Sequence, residues 1–426
     1  MNIKMLCALT LTLGILTAAL YTACAVEPEL SIENESLTDN TLSYTVSSNR
    51  PLTGTLICAV YDASGVLASV SLEEYKNPRQ QWTVNVTAGF EKGMSRIFFW
   101  NSVDGMEPWA KSAISKWDKT NQKAHYEHLS TTSTIGDLLN HPAFAGFAEQ
   151  MLPYDDRSYN ENMALEDMSS LMVYHSRVNP ENSVAAINRL IDDVNDGKQI
   201  FYDFYTEEEK AADPTKDNTG LFFYRGEAGK PFAVQCAGGA FAYVGSLHES
   251  MPHCVEVNKY GYNAFAIKYR VGGEQYASED LAAAISFIIK NADELGVSSA
   301  DYSVWGGSAG ARMAADMGSY GTAYWGGSVD SRPATVVMAY TGRSDYTEND
   351  PPTFVVVGEN DGIANPRTME RRVNALKALG IDAEFHEYPR LGHGFGIGLG
   401  TSAEGWVRDA VEFWEKHIRK GVVHNE

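Results

Sequence analysis

The sequence predicts two domains: a small all-β domain, then an α/β domain whose mostly parallel sheet is covered by helices on both faces. Two periodicities predict this. Apolar residues alternate with period two in short runs of the first part, and strand-like and helix-like runs alternate after about Gln199. A third observation is Gly306–Gly310, which has the form G-x-S-x-G and joins a strand-like run to a helix-like run. With 426 residues, 44% of them hydrophobic, the chain can bury two cores.

The first 25 residues are predicted to be a cleaved secretory signal peptide. Lys4 precedes a run from Met5 to Ala23 that is rich in Leu, Ala and Thr, and small residues allow cleavage before Val26. The alternative is a lipoprotein with Cys24 as its lipidated first residue, although Tyr21 fits that pattern poorly. We therefore expect a secreted or cell-surface protein. No later segment has the roughly 18 apolar residues of a membrane helix, so no membrane span is expected.

Charge and cysteine usage exclude several classes of function. The formal net charge of −21 argues against nucleic acid as a partner, because such a surface repels phosphate. Outside the leader, the odd and sparse set Cys58, Cys236 and Cys254 does not make a disulfide framework. His125–His128 lacks a third ligand for a metal, and no dinucleotide-binding or P-loop glycine pattern is complete. We expect no metal and no cofactor.

Residues 26–115 are predicted to form an immunoglobulin-like β sandwich. Short runs with strand periodicity are separated there by turn-forming clusters. These runs are Thr41–Val46, Thr53–Tyr61, Gly65–Leu72, Gln81–Val86 and Met94–Trp100. No catalytic constellation is present, so a structural spacer is the first interpretation. A sugar-stacking surface formed by Trp82, Trp100 and Trp109 is the alternative.

Residues 116–198 are polar with helical periodicity, and we predict a helical linker region that also covers the start of the next sheet. The clearest amphipathic pieces are Thr134–Leu139 and Ser183–Val194. His141 and His175 have no partners nearby in the sequence, so ordinary surface or packing roles are expected for both.

Residues 199–426 are predicted to be the α/β catalytic domain. Strands are predicted at Gln199–Tyr205, Gly220–Tyr224, Phe232–Cys236, Ala264–Tyr269, Tyr302–Trp305, Thr335–Tyr340, Phe354–Val357 and Ala383–Tyr388. Helices are predicted at Pro252–Tyr260, Ser278–Leu295, Ala309–Met317, Asn365–Leu379 and Ala403–His417. Ligands of such sheets bind at the carboxyl ends of the strands, so the chemistry should lie in the loops that follow them.

Ser308 is the candidate nucleophile. It follows the strand-like Asp301–Trp305 and precedes the small, apolar run Ala309–Met317. A serine exposed at such a turn has a strained backbone, and its neighbours must be small because a Cβ would collide with the strand or the helix. Gly306 and Gly310 meet that requirement.

A second glycine-rich turn follows the strand-like run from Phe232 and contains Gly238 and Gly239. Ester hydrolysis puts negative charge on the carbonyl oxygen, and two backbone N–H groups are suited to hold it. Gly238 and Gly239, complemented by the N–H of Ala309 directly after the serine, are therefore the predicted oxyanion hole. A plain tight turn is the alternative.

Asp361 is the candidate acid, in the loop after the strand-like Phe354–Val357. A histidine base needs a carboxylate that fixes its tautomer and stabilises its charged form. Glu359, closer to the strand end, and Asp382, before the next strand, are weaker candidates. An exposed loop carboxylate without a role is the remaining alternative.

His393 is the candidate base, since it lies between glycines beyond the last predicted strand, whereas His386 lies inside that strand. An imidazole can accept the serine proton and return it near neutral pH. Ser308, Asp361 and His393 occur in the order serine, acid, histidine, each after a predicted strand. This is the order found in α/β-hydrolases.

Several motifs together resemble one known family. Cys236–Phe241 is similar to C-P-G-G-G-Y, Lys268–Arg270 to N-Y-R, and Leu391–Gly394 to a histidine segment. With the serine turn and the stretch from Pro351 to Asp361, they resemble the esterase/lipase branch of the α/β-hydrolase fold, particularly acetyl-esterase-like enzymes. The resemblance covers about Phe232 to His417.

Two positions depart from the family pattern: Ala237 stands for Pro and Ala240 for the third Gly. Because Ala240 is not a glycine, the oxyanion role is assigned to Gly238 or Gly239, together with Ala309.

The resemblance implies a secreted serine esterase that removes short acyl groups, in particular acetyl, with an acetylated polysaccharide as the expected substrate. Ser308 would attack, His393 would move the proton and Asp361 would orient His393. The interval between Tyr340 and Pro352 is short, so no lid is expected over the site. A peptidase of the same fold and a non-catalytic polysaccharide-binding protein are the alternatives.

Overall fold

The computed structural model describes residues 30–38, 41–48, 52–77, 81–87, 92–104, 112–118 and 125–418. The chain divides into two compact units; the first ends at Lys123 and the second begins at Ala124. The predicted signal peptide, including Cys24, lies outside the described residues, as does Trp109. Among the described residues, no helix has the length and apolar character needed to cross a membrane.

The first unit is a β sandwich. Its described strands are β1 (Leu30–Thr38), β2 (Thr41–Ser48), β3 (Leu52–Asp62), β4 (Leu67–Asn77), β5 (Gln81–Thr87), β6 (Lys92–Trp100) and β7 (Ala113–Asp118). They form two antiparallel sheets, with the orders β1-β2-β5 and β4-β3-β6-β7. Leu42 and Tyr44 from one sheet pack with Leu56, Ile97 and Phe99 from the other, which is the alternation expected of a sandwich.

The sequence prediction missed two strands of this sandwich. β1 reads LSIENESLT, with few apolar residues, and β7 follows a stretch rich in turn formers. Both are outer strands of their sheets, so each is hydrogen-bonded on one side within the described residues and needs less hydrophobic patterning. The strand β7 extends the sandwich to Asp118, beyond the predicted limit at Ser115.

The second unit contains an eight-stranded sheet. Its strands are β8 (Phe201–Tyr202), β9 (Gly220–Tyr224), β10 (Pro231–Cys236), β11 (Asn263–Lys268), β12 (Ser298–Gly307), β13 (Thr335–Ala339), β14 (Thr353–Gly358) and β15 (Ala383–Tyr388). The α-helices are α1 (Ile135–Leu139), α2 (Pro180–Asn195), α3 (Glu207–Ala212), α4 (Ser250–Asn258), α5 (Glu274–Lys290), α6 (Ala292–Leu295), α7 (Ala309–Tyr320), α8 (Pro366–Ala378) and α9 (Trp406–His417).

The sheet has the order β15-β14-β13-β12-β10-β11-β9-β8. Strands β10 to β15 run parallel to one another, and β9 is antiparallel to β11 and β8. Because crossovers between parallel strands are right-handed, the strand order puts α5, α7 and α8 on one face and α4 on the other. Helix α9 packs against α4. This is the α/β-hydrolase fold, and it confirms the predicted fold class.

Most strands of the predicted sheet are confirmed to within one or two residues, because they are continuous buried apolar runs. The predicted strand Gln199–Tyr205 is shorter, since only Phe201–Tyr202 pairs with β9 at the sheet edge. The predicted helix Ser278–Leu295 begins earlier, at Glu274, and is divided at Asn291 into α5 and α6.

The segment 125–198, most of the predicted helical linker region, belongs to the second unit and shares its core. Ile135, Leu138 and Ile187 are fully buried in the same apolar cluster as the sheet residues Phe222 and Phe265. Helix α2 packs against α4. The prediction that this segment covers the start of the sheet therefore agrees with its packing.

A buried ion pair fixes the chain before β14 to helix α8. Arg372 Nη2 lies 2.5 Å from Asp350 Oδ2, and both side chains are 1% exposed. Asp350 Oδ1 also accepts hydrogen bonds from Ser319 Oγ at 2.7 Å and the Thr347 N–H at 2.9 Å. Removing one partner of such a pair leaves the other charge buried without compensation.

We predict that Arg372→Met lowers the free energy of unfolding by about 3–5 kcal/mol, measured by urea denaturation. The control is Arg408→Met, which removes a surface pair with Asp409 and should leave stability unchanged. The double variant Arg372→Met/Asp350→Leu should recover part of the loss. Equal stability of Arg372→Met and the wild type would contradict this role of the pair.

Candidate active site

Ser308 lies at the turn between β12 and α7, with the backbone angles φ +52° and ψ −113°. The glycines on either side make this turn possible. A Cβ on Gly306 would lie 2.2 Å from the carbonyl carbon and oxygen of Gly310, and one on Gly310 would lie 2.0 Å from the Cys236 oxygen. Since these are backbone atoms with no freedom to move aside, only glycine fits both positions.

The structure brings Ser308, His393 and Asp361 together, joined by consecutive hydrogen bonds. His393 Nε2 is 2.9 Å from Ser308 Oγ, and His393 Nδ1 is 2.8 Å from Asp361 Oδ2. The other Asp361 oxygen accepts the N–H groups of Ile363 at 2.8 Å and Ala364 at 2.7 Å. This carboxylate is buried, so it holds the Nδ1–H tautomer and leaves Nε2 as the acceptor for the serine proton.

The competing candidates lie elsewhere. Glu359 accepts the backbone N–H of Arg390 at 3.0 Å, and Asp382 pairs with His417 at 3.1 Å. His386 lies 3.0 Å from Glu384 on β15. None of these three side chains contacts Ser308, His393 or Asp361.

Gly238, one predicted oxyanion donor, is engaged in another contact, which corrects the sequence prediction. Its N–H donates to Glu249 Oε2 at 2.5 Å, so it is not available to a substrate oxygen. Ala240 and Ala309 both line the pocket at Ser308. Ala240 has a left-handed φ of +56°, a conformation that the sequence reasoning did not expect from a non-glycine residue. Ala240 and Ala309 are therefore candidate donors at the pocket, and Gly239 directly precedes Ala240 in the turn.

A buried carboxylate beneath this turn was not found from the sequence. Glu249 is fully buried, and its Oε1 lies 3.0 Å from His175 Nε2 and accepts the Tyr340 hydroxyl at 2.8 Å. His175 Nδ1 lies 2.8 Å from the Tyr243 hydroxyl. A Cβ on Gly307 would lie 2.6 Å from Glu249 Oε2, so the carboxylate contacts both turns of the site.

The electrostatics of this cluster favour an ionised Glu249. Burial by itself would raise the pKa of Glu249, but the electrostatic interaction with His175, 3.0 Å away, and the hydrogen bond from the Gly238 N–H hold that pKa well below its usual range. Burial, reinforced by the nearby His175, lowers the pKa of His248 to about 4. His248 is therefore neutral at physiological pH, and its Nε2 lies 3.0 Å from the Gly394 carbonyl oxygen.

His175 corrects a second expectation, since a surface or simple packing role was predicted for it. The segment around it also supports the loop of the candidate base. Ser176 Oγ donates to the His393 carbonyl at 2.5 Å, and the Ser176 N–H donates to the Gly394 carbonyl at 2.9 Å. No local motif marks these contacts, because more than two hundred residues separate the partners.

The pocket at Ser308 has a volume of about 460 Å³. Phe241, Tyr340 and Ile363 give part of its wall an apolar character, and Glu274 and Arg312 give it a charged edge. Glu274 Oε2 lies 2.8 Å from Arg312 Nη2, and Arg312 lies one helical turn after Ser308. In the part of the chain that the structure describes, no three His, Cys, Asp or Glu side chains are grouped as metal ligands.

Two family models match parts of the second unit. The model described as BD-FAE matches residues 224–324, which include Ser308, and that of the prolyl oligopeptidase family matches residues 336–421, which include Asp361 and His393. A search of curated proteins finds no match. The strand order and the two models identify this unit as a hydrolase of the α/β-hydrolase fold.

Solved structures similar to this chain include three hydrolases. An acetyl ester-xyloside bifunctional hydrolase from Caldicellulosiruptor lactoaceticus is 20% identical, with a TM-score of 0.46, over 51% of this chain and 95% of that chain. An alpha/beta hydrolase enzyme from a Medee basin deep-sea metagenome library is 22% identical, with a TM-score of 0.41, over 46% and 92%. A thermophilic esterase from Thermogutta terrifontis with bound propionate is 19% identical, with a TM-score of 0.41, over 46% and 89%.

We predict that Glu249→Gln slows the reaction of Ser308 with a fluorophosphonate probe by about 10- to 100-fold. The Gly238 N–H loses a charged acceptor, and a displaced oxyanion turn stabilises the developing charge less well. The control is Glu256→Gln on α4, which changes an exposed pair with Lys259. Circular dichroism and thermal melting show whether each variant is folded. A folded Glu249→Gln variant that reacts at the wild-type rate would rule out the positioning role.

Proposed function

We propose that this protein is a serine esterase that hydrolyses short-chain acyl esters through an acyl-enzyme. This proposal depends on the arrangement of Ser308, His393 and Asp361. The serine hydroxyl lies 2.9 Å from His393 Nε2, and the buried Asp361 carboxylate orients the His393 ring. Ala240 and Ala309, whose N–H groups are candidate oxyanion donors, line the same pocket. The BD-FAE match across the serine turn supports the same reaction class.

The geometry suggests the following steps. Ser308 Oγ attacks the ester carbonyl as its proton passes to His393 Nε2, and Asp361 stabilises the resulting imidazolium. Backbone N–H groups of Ala309 and of the Gly239–Ala240 turn hold the oxyanion. The leaving alcohol takes the proton from His393, and water then repeats the sequence to release the acid.

The expected substrate is an acetylated polysaccharide. The apolar wall of Phe241 and Ile363 is suited to a short acyl group, and the Glu274–Arg312 pair offers hydrogen bonds to a hydroxylated alcohol. The short interval after Tyr340 leaves the pocket open to a bulky alcohol. The leader-like residues 1–25 support a secreted or cell-surface location.

A peptidase of the same fold is the second candidate, because the prolyl oligopeptidase family model matches residues 336–421. Both reactions proceed through an acyl-enzyme, so the Ser308 geometry serves either one. A non-catalytic polysaccharide-binding protein has less support, since nothing in its function would require a serine aligned with a histidine and a buried carboxylate.

We predict that Ser308→Ala and His393→Ala each lower kcat/KM for p-nitrophenyl acetate by about 10⁴-fold or more, because each removes one part of a unit that acts together. His386→Ala is the matched control, a histidine on β15 outside the site, and should keep wild-type activity. Wild-type turnover by the Ser308→Ala variant would disprove the mechanism.

We predict hydrolysis of p-nitrophenyl acetate and of acetylated xylan, and no hydrolysis of prolyl or alanyl naphthylamides. Amides have the poorer leaving group, and the described part of the small β domain does not resemble the large gate or propeller of proline-specific peptidases. Initial rates on both substrate classes at equal enzyme concentration provide the measurement. Cleavage of a naphthylamide without cleavage of an acetyl ester would make the peptidase the better description.

A further inference from the structure

A second and larger depression lies beside the active-site pocket. Its volume is about 770 Å³, compared with about 460 Å³ at Ser308. We call it the aromatic groove and define it by Tyr205, Gln275, Tyr276, Glu279, Tyr324 and Trp325, which all line it. None of these residues takes part in the chemistry at Ser308.

Helix α5 connects the two depressions. Its first residue, Glu274, lines the active-site pocket, and the next two, Gln275 and Tyr276, line the aromatic groove. Later groove residues follow on the same helix at spacings of three and four, which mark one helical face: Glu279, Ala283, Phe287 and Lys290. A helix of 17 residues is about 25 Å long, and the groove residues from Gln275 to Lys290 are spread over most of that length.

Two tyrosines of the groove, Tyr276 and Tyr324, are exposed to solvent. Tyr324 is 67% exposed and Tyr276 is 51% exposed. Tyr324 is fixed between Tyr320, which stacks on it with ring centroids 4.8 Å apart, and Trp325, whose ring meets it edge-on at 5.2 Å. Rings that are rigid and yet exposed offer flat apolar faces at little cost in conformational entropy, as in ligand sites.

The positive and negative charges that line the aromatic groove are equal in number. Arg270 Nη1 lies 2.7 Å from Asp213 Oδ2, and its guanidinium lies over the Tyr276 ring at 5.2 Å from the centroid. Three cationic side chains, from Lys216, Arg270 and Lys290, and three carboxylates, from Glu209, Asp213 and Glu279, line the groove. A polyanion or polycation gains little there, whereas a neutral chain with hydroxyl groups and flat apolar faces matches both the polar groups and the rings.

We propose that the aromatic groove binds the neutral sugar chain that carries the ester, with one acylated unit at Ser308 and the following units along α5. This inference rests on the proposed esterase function for its substrate. It adds a binding site, distinct from the catalytic residues, that selects polymeric over small esters.

The test uses the full chain and the double variant Tyr324→Ala/Trp325→Ala. We expect KM for acetylated xylan or acetylated glucomannan to rise by about tenfold, because two stacking contacts are removed. The kcat/KM for p-nitrophenyl acetate should change less than twofold, since that ester ends at the active-site pocket. The matched control is Tyr260→Ala, a tyrosine 38% exposed just after α4, which lies on the other face of the sheet.

A binding measurement separates this proposal from the proposed function. In the Ser308→Ala background, calorimetry with xylotetraose and mannotetraose reports on the aromatic groove without turnover. Binding of either oligosaccharide that weakens in the double variant, and not in Tyr260→Ala, supports the groove even if no ester is cleaved. Absence of binding to both sugars, or equal polymer KM and equal affinity in the double variant, would overturn it. Loss of p-nitrophenyl acetate hydrolysis in the wild type would contradict only the esterase function.

Discussion

The site depends on one steric constraint, the strained backbone of Ser308 between β12 and α7. Its positive φ turns the hydroxyl toward His393, and the crossing of strand and helix leaves no room for a Cβ at Gly306 or Gly310. The carbonyl of Cys236 at the end of β10 sets this limit for Gly310. The serine turn and the glycine-rich turn after β10 are therefore fixed against each other by backbone contact.

A buried charged cluster around Glu249 supports the serine turn and the glycine-rich turn. Glu249 accepts the Gly238 N–H, contacts Gly307 and lies beside His175, so one buried carboxylate connects both turns with a segment from the start of the unit. Burying such a charge is costly unless it is paired and hydrogen-bonded, and here several partners surround it. The Tyr174–Ser176 segment supports the His393 loop as well, which gives the region before the sheet a role at the site.

The pocket at Ser308 and the aromatic groove present different surfaces. At Ser308, the pocket has a volume of about 460 Å³ and a partly apolar wall. Along α5, the groove for which we propose a sugar ligand presents exposed rings and paired charges. Because Glu274 ends one region and Gln275 begins the other, a substrate extended along the helix would contact both at once.

The sequence by itself determined the parallel sheet, most of its strands, and the three residues Ser308, Asp361 and His393. Continuous apolar runs mark buried strands, and the chemistry follows their carboxyl ends, so these features are local in the sequence. Only the tertiary structure decided that the Gly238 N–H donates to Glu249 rather than pointing to the pocket, and that His175 lies beside the site. Those contacts join side chains and backbone groups from distant segments, whose approach is set by packing and burial and leaves no periodic pattern in the sequence.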